Sequence, residues 1–246
     1  MQPLRLILLS GWGIDRRIWQ PLQAHWPAHL AAHLTAQAVD WPGYGDAPAL
    51  GANATLTELA EKMSESLTSD AVWVGWSLGG LLAAALLEEL PPPRGLMLLG
   101  AGNTFCATDG VTSAELSAFR RAFQREPTAT WQHFLRWQAQ GEPSPRKAFR
   151  QLHDLLGDTL PADSATLATG LDWLASIDNR QRLAAAPCPV ARLTGEHDPL
   201  IGPAQRRASE LLTGVGHCPM LSQPQALAAK IAHHATQMAS TRMAVL

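Results

Sequence analysis

The chain has 246 residues, of which 46% are hydrophobic and 16% are charged, and its formal net charge is −2. This length allows one large domain with a substantial core, and the composition excludes an intrinsically disordered chain. The slightly acidic balance argues against nucleic-acid binding, because domains that bind nucleic acids are usually basic. Three widely spaced cysteines with no C-x-x-C pair predict thiols in a reducing compartment rather than a disulfide framework.

The chain begins with an apolar run that is too short for a secretory signal peptide and is followed by Gly11 and Gly13. A strand over residues 4–9, buried on both faces, explains this run better. No segment approaches the roughly 20 apolar residues that span a bilayer. We therefore expect a cytoplasmic protein.

Strand and helix patterns alternate as far as about residue 100. Asp15 is a candidate N-cap of a first helix, and Thr55 with Glu58 forms a capping-box pattern at the start of a helix reaching about residue 67. This alternation predicts an α/β fold with a mostly parallel, doubly wound sheet. The predicted strands over this part of the chain are 4–9, 37–40, 72–76 and 95–99.

The alternation breaks over residues 104–182, where four helices are predicted near 113–125, 128–140, 145–156 and 164–177. We expect this segment to be an inserted helical cap, or lid, over the carboxyl edge of the sheet, where open α/β sheets bind ligands. The core would then comprise residues 1–103 and 183–246. It resumes with strands near 189–194 and 210–213 and ends with a helix over 224–238 and a frayed tail.

Ser77 is the candidate nucleophile, in the sequence Gly75-Trp76-Ser77-Leu78-Gly79. A β-branched and aromatic run precedes it and an Ala- and Leu-rich segment follows, which predicts a strand, a sharp turn and a helix. A serine at such a corner needs small neighbours on both sides, and the helix start behind it offers free N–H groups to an oxyanion. An ordinary glycine-rich turn is the alternative.

A serine hydroxyl needs a base, and the base needs an orienting group. Asp198 and His217 each follow a predicted strand, so both belong at the carboxyl edge of the sheet together with Ser77. Their order along the chain is that of a hydrolase with a nucleophile elbow. Asp198 as a simple turn residue, Glu196 as the acid and His217 as an ordinary loop histidine remain open.

The backbone N–H groups of Leu78 and Trp12 are the expected oxyanion donors, since they belong to the residue after the nucleophile and to the loop after the first strand. We expect no metal and no organic cofactor. His25, His29 and His33 have helical spacing, but Pro27 interrupts the helix that would align them, and no carboxylate cluster accompanies them.

These motifs resemble those of the α/β-hydrolases over essentially the whole chain. More narrowly, the chain is similar to the family of pimeloyl-[acyl-carrier protein] methyl ester esterases of biotin synthesis. The resemblance is carried by residues 8–13, 40–45 and 73–80 and by the turns that hold Asp198 and His217. A tryptophan before the nucleophile, together with Gly-Trp-Gly in the loop after the first strand, makes it specific.

The resemblance implies a serine carboxylesterase that hydrolyses the methyl ester of a pimeloyl chain held by acyl carrier protein. It implies substrate contacts from Trp12, Phe134, Gln138 and His217. It also implies that Arg146 and Arg150 receive the carrier protein. Three positions depart from the pattern: Ser10 replaces a usual histidine, and Ala129 and His133 replace two basic residues of the predicted cap.

A charge count points the same way. Residues 113–156 contain seven basic and four acidic residues, a net charge of +3, which leaves −5 for the rest of the chain. A basic cap on an acidic body suits an acidic protein partner through electrostatic steering, although an ordinary solvated helix face has similar charges.

Other hydrolases of this fold use the same residues. A general carboxylesterase, a thioesterase, a carbon–carbon bond hydrolase and a non-catalytic binding protein all remain alternatives. A haloalkane dehalogenase is excluded, because it would need an aspartate in place of Ser77. No sequence feature reports the oligomeric state, and a monomer is favoured.

Overall fold

The computed structural model describes residues 3–30, 33–51 and 53–243. Within these ranges the strands are β1 (Leu4–Leu9), β2 (Leu34–Val39), β3 (Ala71–Trp76), β4 (Gly95–Leu99), β5 (Val190–Gly195) and β6 (Glu210–Leu212). The α-helices are α1 (Leu56–Met63), α2 (Leu78–Ala85), α3 (Ser113–Arg125), α4 (Pro127–Gln138), α5 (Pro145–Leu156), α6 (Ser164–Ser176), α7 (Arg180–Ala184), α8 (Pro203–Arg207), α9 (Pro219–Ser222) and α10 (Pro224–Met243). Two 3-10 helices cover Arg16–Leu22 and Leu86–Glu88.

In the described part of the chain, all six strands are parallel and form one sheet in the order β2-β1-β3-β4-β5-β6. Every residue of β3 and β4 is buried, as expected for central parallel strands covered on both faces. The predicted α/β fold class is thus confirmed.

The sheet reverses its direction of growth between β1 and β3. From β1 the chain passes outwards to β2, and it then returns to the other side of β1 and continues through β3 to β6. Leu9, the last residue of β1, pairs with Gly75 of β3. The loops that follow these two strands therefore meet at the switch point, where open α/β sheets bind ligands.

Most predicted elements are confirmed within a few residues, and the deviations have local causes. β2 starts three residues before the predicted strand, because an edge strand with half-exposed, alternating side chains lacks an apolar run. The helix capped by Asp15 is a 3-10 helix with Pro21 inside it. The helix opened by Thr55 ends at Met63, four residues early.

The closing helix continues to Met243, so the prediction of a frayed tail is wrong for residues 239–243, and residues 244–246 lie outside the described residues. Helices α7, α8 and α9 were not predicted, because each has four or five residues, which is too short for a helical period.

Helices α3–α6 lie between β4 and β5 in the chain, and α3, α4 and α6 contact the loop that follows β1. The Trp12 indole in this loop donates a hydrogen bond to the Leu167 carbonyl of α6, and the Trp131 indole of α4 donates to the Gly13 carbonyl, each at 2.7 Å. The predicted boundary at residues 182/183 falls within α7. None of the helices described is both long and apolar enough to cross a membrane.

Candidate active site

Ser77 lies in the corner between β3 and α2 with φ +55° and ψ −124°. A non-glycine residue in this region costs on the order of 1–3 kcal/mol and persists only where its surroundings enforce it. The Ser77 N–H donates to the Leu99 carbonyl at 2.9 Å, and the Ser77 carbonyl accepts from the N–H groups of Gly80 and Leu81. The corner therefore holds the serine in a strained conformation at the start of a helix.

The glycines on both sides of Ser77 are required by close backbone contacts. A Cβ at Gly75 would lie 2.5 Å from the Gly80 Cα, and a Cβ at Gly79 would lie 2.5 Å from the Ser10 carbonyl oxygen. Neither contact can relax without moving backbone. The Gly-x-Ser-x-Gly pattern thus reflects how tightly β3, α2 and the loop after β1 pack.

His217 and Asp198 form a buried pair. The Asp198 Oδ2 atom lies 2.8 Å from the His217 Nδ1 atom, and the two side chains are 0% and 1% exposed. The other carboxylate oxygen, Oδ1, accepts a hydrogen bond from the Leu200 N–H. With Nδ1–H directed to the carboxylate, the Nε2 atom carries the lone pair and can accept a proton. Nε2 has no hydrogen-bond partner among the described residues.

Trp76, the residue before Ser77, contacts His217 of this pair. Its indole N–H donates to the His217 carbonyl at 2.8 Å, and its ring lies 5.2 Å from the imidazole, measured between centroids. Gly100, directly after β4, packs against both members of the pair. A Cβ there would lie 3.1 Å from the imidazole and from the Asp198 carboxylate. Tryptophan and glycine therefore bring the His217 loop against the residue that precedes Ser77.

Glu196, the alternative acid, lies elsewhere. It is exposed, its carboxylate accepts a hydrogen bond from the Gly214 N–H at 2.9 Å, and its nearest imidazole is that of His197, at 3.9 Å. Of the two acids in this turn, the structure pairs Asp198 with His217.

Both expected oxyanion donors belong to segments that adjoin Ser77. Leu78 begins α2, and its N–H, like that of Trp12, has no acceptor among the described residues. The loop of Trp12 packs directly on the nucleophile, since a Cβ at Gly11 would lie 2.9 Å from the Ser77 Cβ. The Ser10 hydroxyl donates a hydrogen bond to the Asp15 carbonyl at 3.1 Å, and this bond stabilises the loop.

An apolar cavity, here called the apolar slot, opens beside this loop. It is lined mainly by Trp12, Phe119, Phe134, Trp137, Leu171 and Leu174. The Trp12 ring makes edge-to-face contacts with Phe119 and Phe134, at centroid distances of 5.5 and 5.1 Å. Two predicted substrate residues, Trp12 and Phe134, thus lie together in one apolar cavity.

Gln138, the third predicted substrate residue from this region, is 1% exposed. Its Nε2 atom has no hydrogen-bond partner among the described residues. A buried amide without an acceptor is costly, on the order of 1–3 kcal/mol, which makes it a candidate donor to a bound ligand.

The two predicted docking residues are on a helix surface. Arg146 and Arg150 are exposed, one turn apart on α5, and neither forms an ion pair with the described acidic residues. No group of three or more histidine, cysteine, aspartate or glutamate side chains suited to a metal ion occurs in the described ranges.

The geometry and the sequence agree with one family. Residues 6–230 match the alpha/beta hydrolase family. The chain belongs to this family. Among the solved structures of this hydrolase fold, an esterase from Exiguobacterium antarcticum has a TM-score of 0.79 at 19% identity and covers 96% of this chain and 92% of its own. A bromoperoxidase from Bacillus anthracis has a TM-score of 0.76 at 15% identity, with 94% and 91% covered.

Closer relatives within the hydrolase family bear one name. The pimeloyl-[acyl-carrier protein] methyl ester esterase of Yersinia enterocolitica is 31% identical over 94% of this chain and 93% of its own length. The protein of that name from Klebsiella pneumoniae is 32% identical, with 95% and 94% covered. The resemblance read from the sequence motifs is therefore confirmed over most of the chain.

Sequence reasoning missed one buried group of this hydrolase. Glu142, between α4 and α5, accepts hydrogen bonds from the Cys218 N–H at 2.6 Å and from the Ser222 hydroxyl at 2.5 Å. It thereby links the inserted helices to the residue after His217. A lone glutamate between glycine and proline carries no periodic signal, so the sequence offers nothing that would have found it.

Proposed function

We propose that this protein is a serine carboxylesterase that hydrolyses the methyl ester of pimeloyl-[acyl-carrier protein] and so frees the pimeloyl acid for biotin synthesis. The observation that carries the reaction type is the buried His217–Asp198 pair, whose Nε2 atom is unpartnered, beside the strained Ser77 corner. The names of the relatives from Yersinia enterocolitica and Klebsiella pneumoniae support the substrate.

In the first half of the reaction, the Ser77 oxygen attacks the ester carbonyl while His217 Nε2 takes the hydroxyl proton. Asp198 keeps the imidazole in the required tautomer and stabilises the imidazolium. The N–H groups of Leu78 and Trp12 donate to the oxyanion. When the tetrahedral intermediate collapses, the bond to methoxide breaks, and the imidazolium returns its proton so that methanol leaves.

In the second half, water attacks the acyl-enzyme carbonyl. His217 Nε2 accepts one proton from this water, and the second tetrahedral intermediate collapses to the pimeloyl carboxylic acid. The proton on His217 returns to the Ser77 oxygen, so the enzyme is regenerated and no metal or organic cofactor takes part.

The inserted segment has a corresponding role. We propose that residues 104–182 form a cap whose apolar slot holds the acyl chain against Trp12 and Phe134, with the Gln138 amide as a hydrogen-bond donor near His217. On the outer surface, Arg146 and Arg150 would receive the acidic carrier protein. Their exposure and the lack of ion pairs to the described acids support this role.

Replacing Ser77 tests the proposal. Ser77→Ala should lower kcat on carrier-bound methyl pimelate by at least about a thousandfold, since the reaction loses its nucleophile. The variant should neither react with a fluorophosphonate probe nor rescue a biotin auxotroph that lacks its own esterase. Ser144→Ala is the matched control, because the Ser144 side chain is exposed and caps no helix N–H group.

The reaction products and the behaviour of the wild-type enzyme distinguish an esterase for carrier-bound pimeloyl methyl ester from a thioesterase and from a general carboxylesterase. Methanol release supports the esterase, whereas release of the carrier thiol would identify a thioesterase. Wild-type hydrolysis of short esters without rescue of the auxotroph would indicate a general carboxylesterase. Unchanged ester hydrolysis by Ser77→Ala would contradict the proposed nucleophile.

A further inference from the structure

An open groove between α3 and α4, here called the α3–α4 groove, lies next to the apolar slot. The two cavities share Glu115, Phe119 and Trp137 as lining residues. Small side chains, such as Ala118 and Ala122, also line the groove. A linear molecule with its reacting end near Trp12 would therefore leave the protein along this groove.

Arg136 is the one arginine or lysine that lines this groove in the described structure. Its guanidinium carbon lies 5.0 Å from the centre of the Phe149 ring on α5, a cation–π distance that holds the side chain near the surface. It forms no ion pair with the described acids. Glu115, in the same groove, already accepts hydrogen bonds from the Thr112 N–H and hydroxyl, at 2.8 and 2.7 Å.

The position of Phe149 places Arg136 beside the proposed docking residues. Phe149 is three residues after Arg146 and directly before Arg150 on α5. Arg136, Arg146 and Arg150 therefore all lie close to Phe149. By contrast, Arg120 of α3 is neutralised by an ion pair with Asp172. Arg136, Arg146 and Arg150 therefore offer unpaired positive charge to a partner where the groove meets α5.

We propose that Arg136 binds the phosphate of the arm that joins an acyl chain to its carrier protein. Carrier proteins hold acyl groups as thioesters of a pantetheine arm that is attached through a phosphodiester. Arginine is well suited to that group, since its planar fork donates two parallel hydrogen bonds to phosphate oxygens. Arg136 lines the groove that the arm would follow, whereas Arg146 and Arg150 do not. Arg136 would therefore contact the phosphate of the arm, and not the surface of the carrier protein. This inference rests on the proposed esterase function.

Arg136 also offers a positive charge in place of the two basic residues that the family resemblance implies at Ala129 and His133. Both of these positions line the groove on α4, and Arg136 follows His133 by three residues on the same wall. Arg136 therefore supplies a permanent positive charge about one helical turn from His133 and about two turns from Ala129.

The test compares methyl pimeloyl thioesters of phosphopantetheine and of pantetheine, which differ only in the phosphate. For Arg136→Gln we expect KM on the phosphopantetheine thioester to rise about three- to tenfold with kcat unchanged, as for the loss of one partly exposed charge-assisted contact. KM on the pantetheine thioester should stay the same. Arg125→Gln, which removes an exposed arginine from the end of α3, is the control and should change neither KM.

Three results would overturn the inference, and they are distinguishable. Equal changes in KM on both thioesters would mean that Arg136 does not recognise the phosphate. A change seen only with the intact carrier protein would assign Arg136 to the carrier's carboxylates instead. If the wild-type enzyme cleaves short esters but releases no methanol from either methyl pimeloyl thioester, the proposed substrate is overturned, and the role of Arg136 with it.

Discussion

Ser77 and Asn53 are the non-glycine residues with positive φ in the described structure, at +55° and +60°. Asparagine tolerates the left-handed helical region, whereas the ψ of −124° places Ser77 outside that region. Strain of this kind is found where the surrounding structure enforces it, often at reactive groups. At the scale of single residues, the nucleophile candidate is therefore distinguished by its backbone as well as by its motif.

The thiol beside His217 illustrates the opposite case. Cys218 is fully buried, and its burial, with additional repulsion from the carboxylates of Glu142 and Asp198, raises the pKa of the thiol well above its ordinary value. A raised pKa leaves almost no thiolate at neutral pH, and the thiolate is the reactive form. This agrees with the expectation from the sequence that Ser77, and not Cys218, is the nucleophile.

Alkylation tests this difference in reactivity. In the native protein at pH 8, iodoacetamide should leave Cys218 unmodified and the esterase activity unchanged, while the half-buried Cys106 is modified. Peptide mapping by mass spectrometry measures both, and protein unfolded in urea serves as the control in which Cys218 also reacts. Rapid modification of native Cys218 would show that its thiolate is populated.

At the scale of elements, the site depends on the close packing of α2 against the end of β1. All eight residues of α2 are buried, and a Cβ at Gly79 would lie within 2.7 Å of the backbone oxygens of Leu9 and Ser10. The same loop carries the Trp12 N–H, so the contact that seats the helix also positions an expected oxyanion donor. We therefore expect a change in this packing contact to affect the proposed catalysis as well as stability.

A methyl group at Gly79 tests the coupling. In Gly79→Ala the new Cβ would lie 2.5 Å from the Ser10 carbonyl oxygen, so backbone must move. We expect the free energy of unfolding to fall by about 1–3 kcal/mol and kcat to fall more than KM changes. Urea denaturation and ester hydrolysis measure the two effects.

Gly51→Ala is the matched control, because a Cβ there meets no atom within 4 Å. Its unfolding free energy should change by no more than about 0.5 kcal/mol in either direction. A Gly79→Ala variant as stable and as active as Gly51→Ala would contradict the packing argument.

At the scale of the whole molecule, charge is distributed unevenly. The segment 113–156 carries +3 while the rest of the chain carries −5. Several cations elsewhere are neutralised by ion pairs, such as Arg17 with Asp15 and Arg182 with Glu88. Arg146 and Arg150 are exposed and form no ion pair with the described acids, so this helix face presents unpaired positive charge, which suits the proposed acidic carrier protein.

Charge reversal tests this surface. Replacing Arg146 and Arg150 together by glutamate should lower kcat/KM on carrier-bound methyl pimelate by about tenfold or more, because attraction becomes repulsion. Hydrolysis of methyl butyrate should be unchanged. Reversal of Arg121 and Arg125, which are exposed and four residues apart on α3, gives the same change in net charge at another place. Equal losses in both pairs would contradict a defined docking surface.

The sequence by itself determined the features that depend on near neighbours. Apolar runs, capping residues and glycine spacing act over a few residues, so the strands, the capping box at Thr55 and the strand–turn–helix around Ser77 were predictable. The helices of the inserted segment followed from their periodicity, with two of the four predicted to the exact residue. Ser77, Asp198 and His217 were named as candidates because each follows a predicted strand.

The tertiary structure decided what depends on residues far apart in the chain. The sequence favoured Asp198 over Glu196, but the contact of Asp198 with His217 is seen only where the turn after β5 meets the His217 loop. The Trp76–His217 hydrogen bond joins residues 141 apart in sequence, and the Glu142–Cys218 hydrogen bond joins residues 76 apart. The apolar slot and its groove exist only once α3, α4 and α6 pack over the loop after β1. Side-chain periodicity reports which face of an element is buried, but it does not report what that face is buried against, and for that reason these contacts could not be read from the sequence.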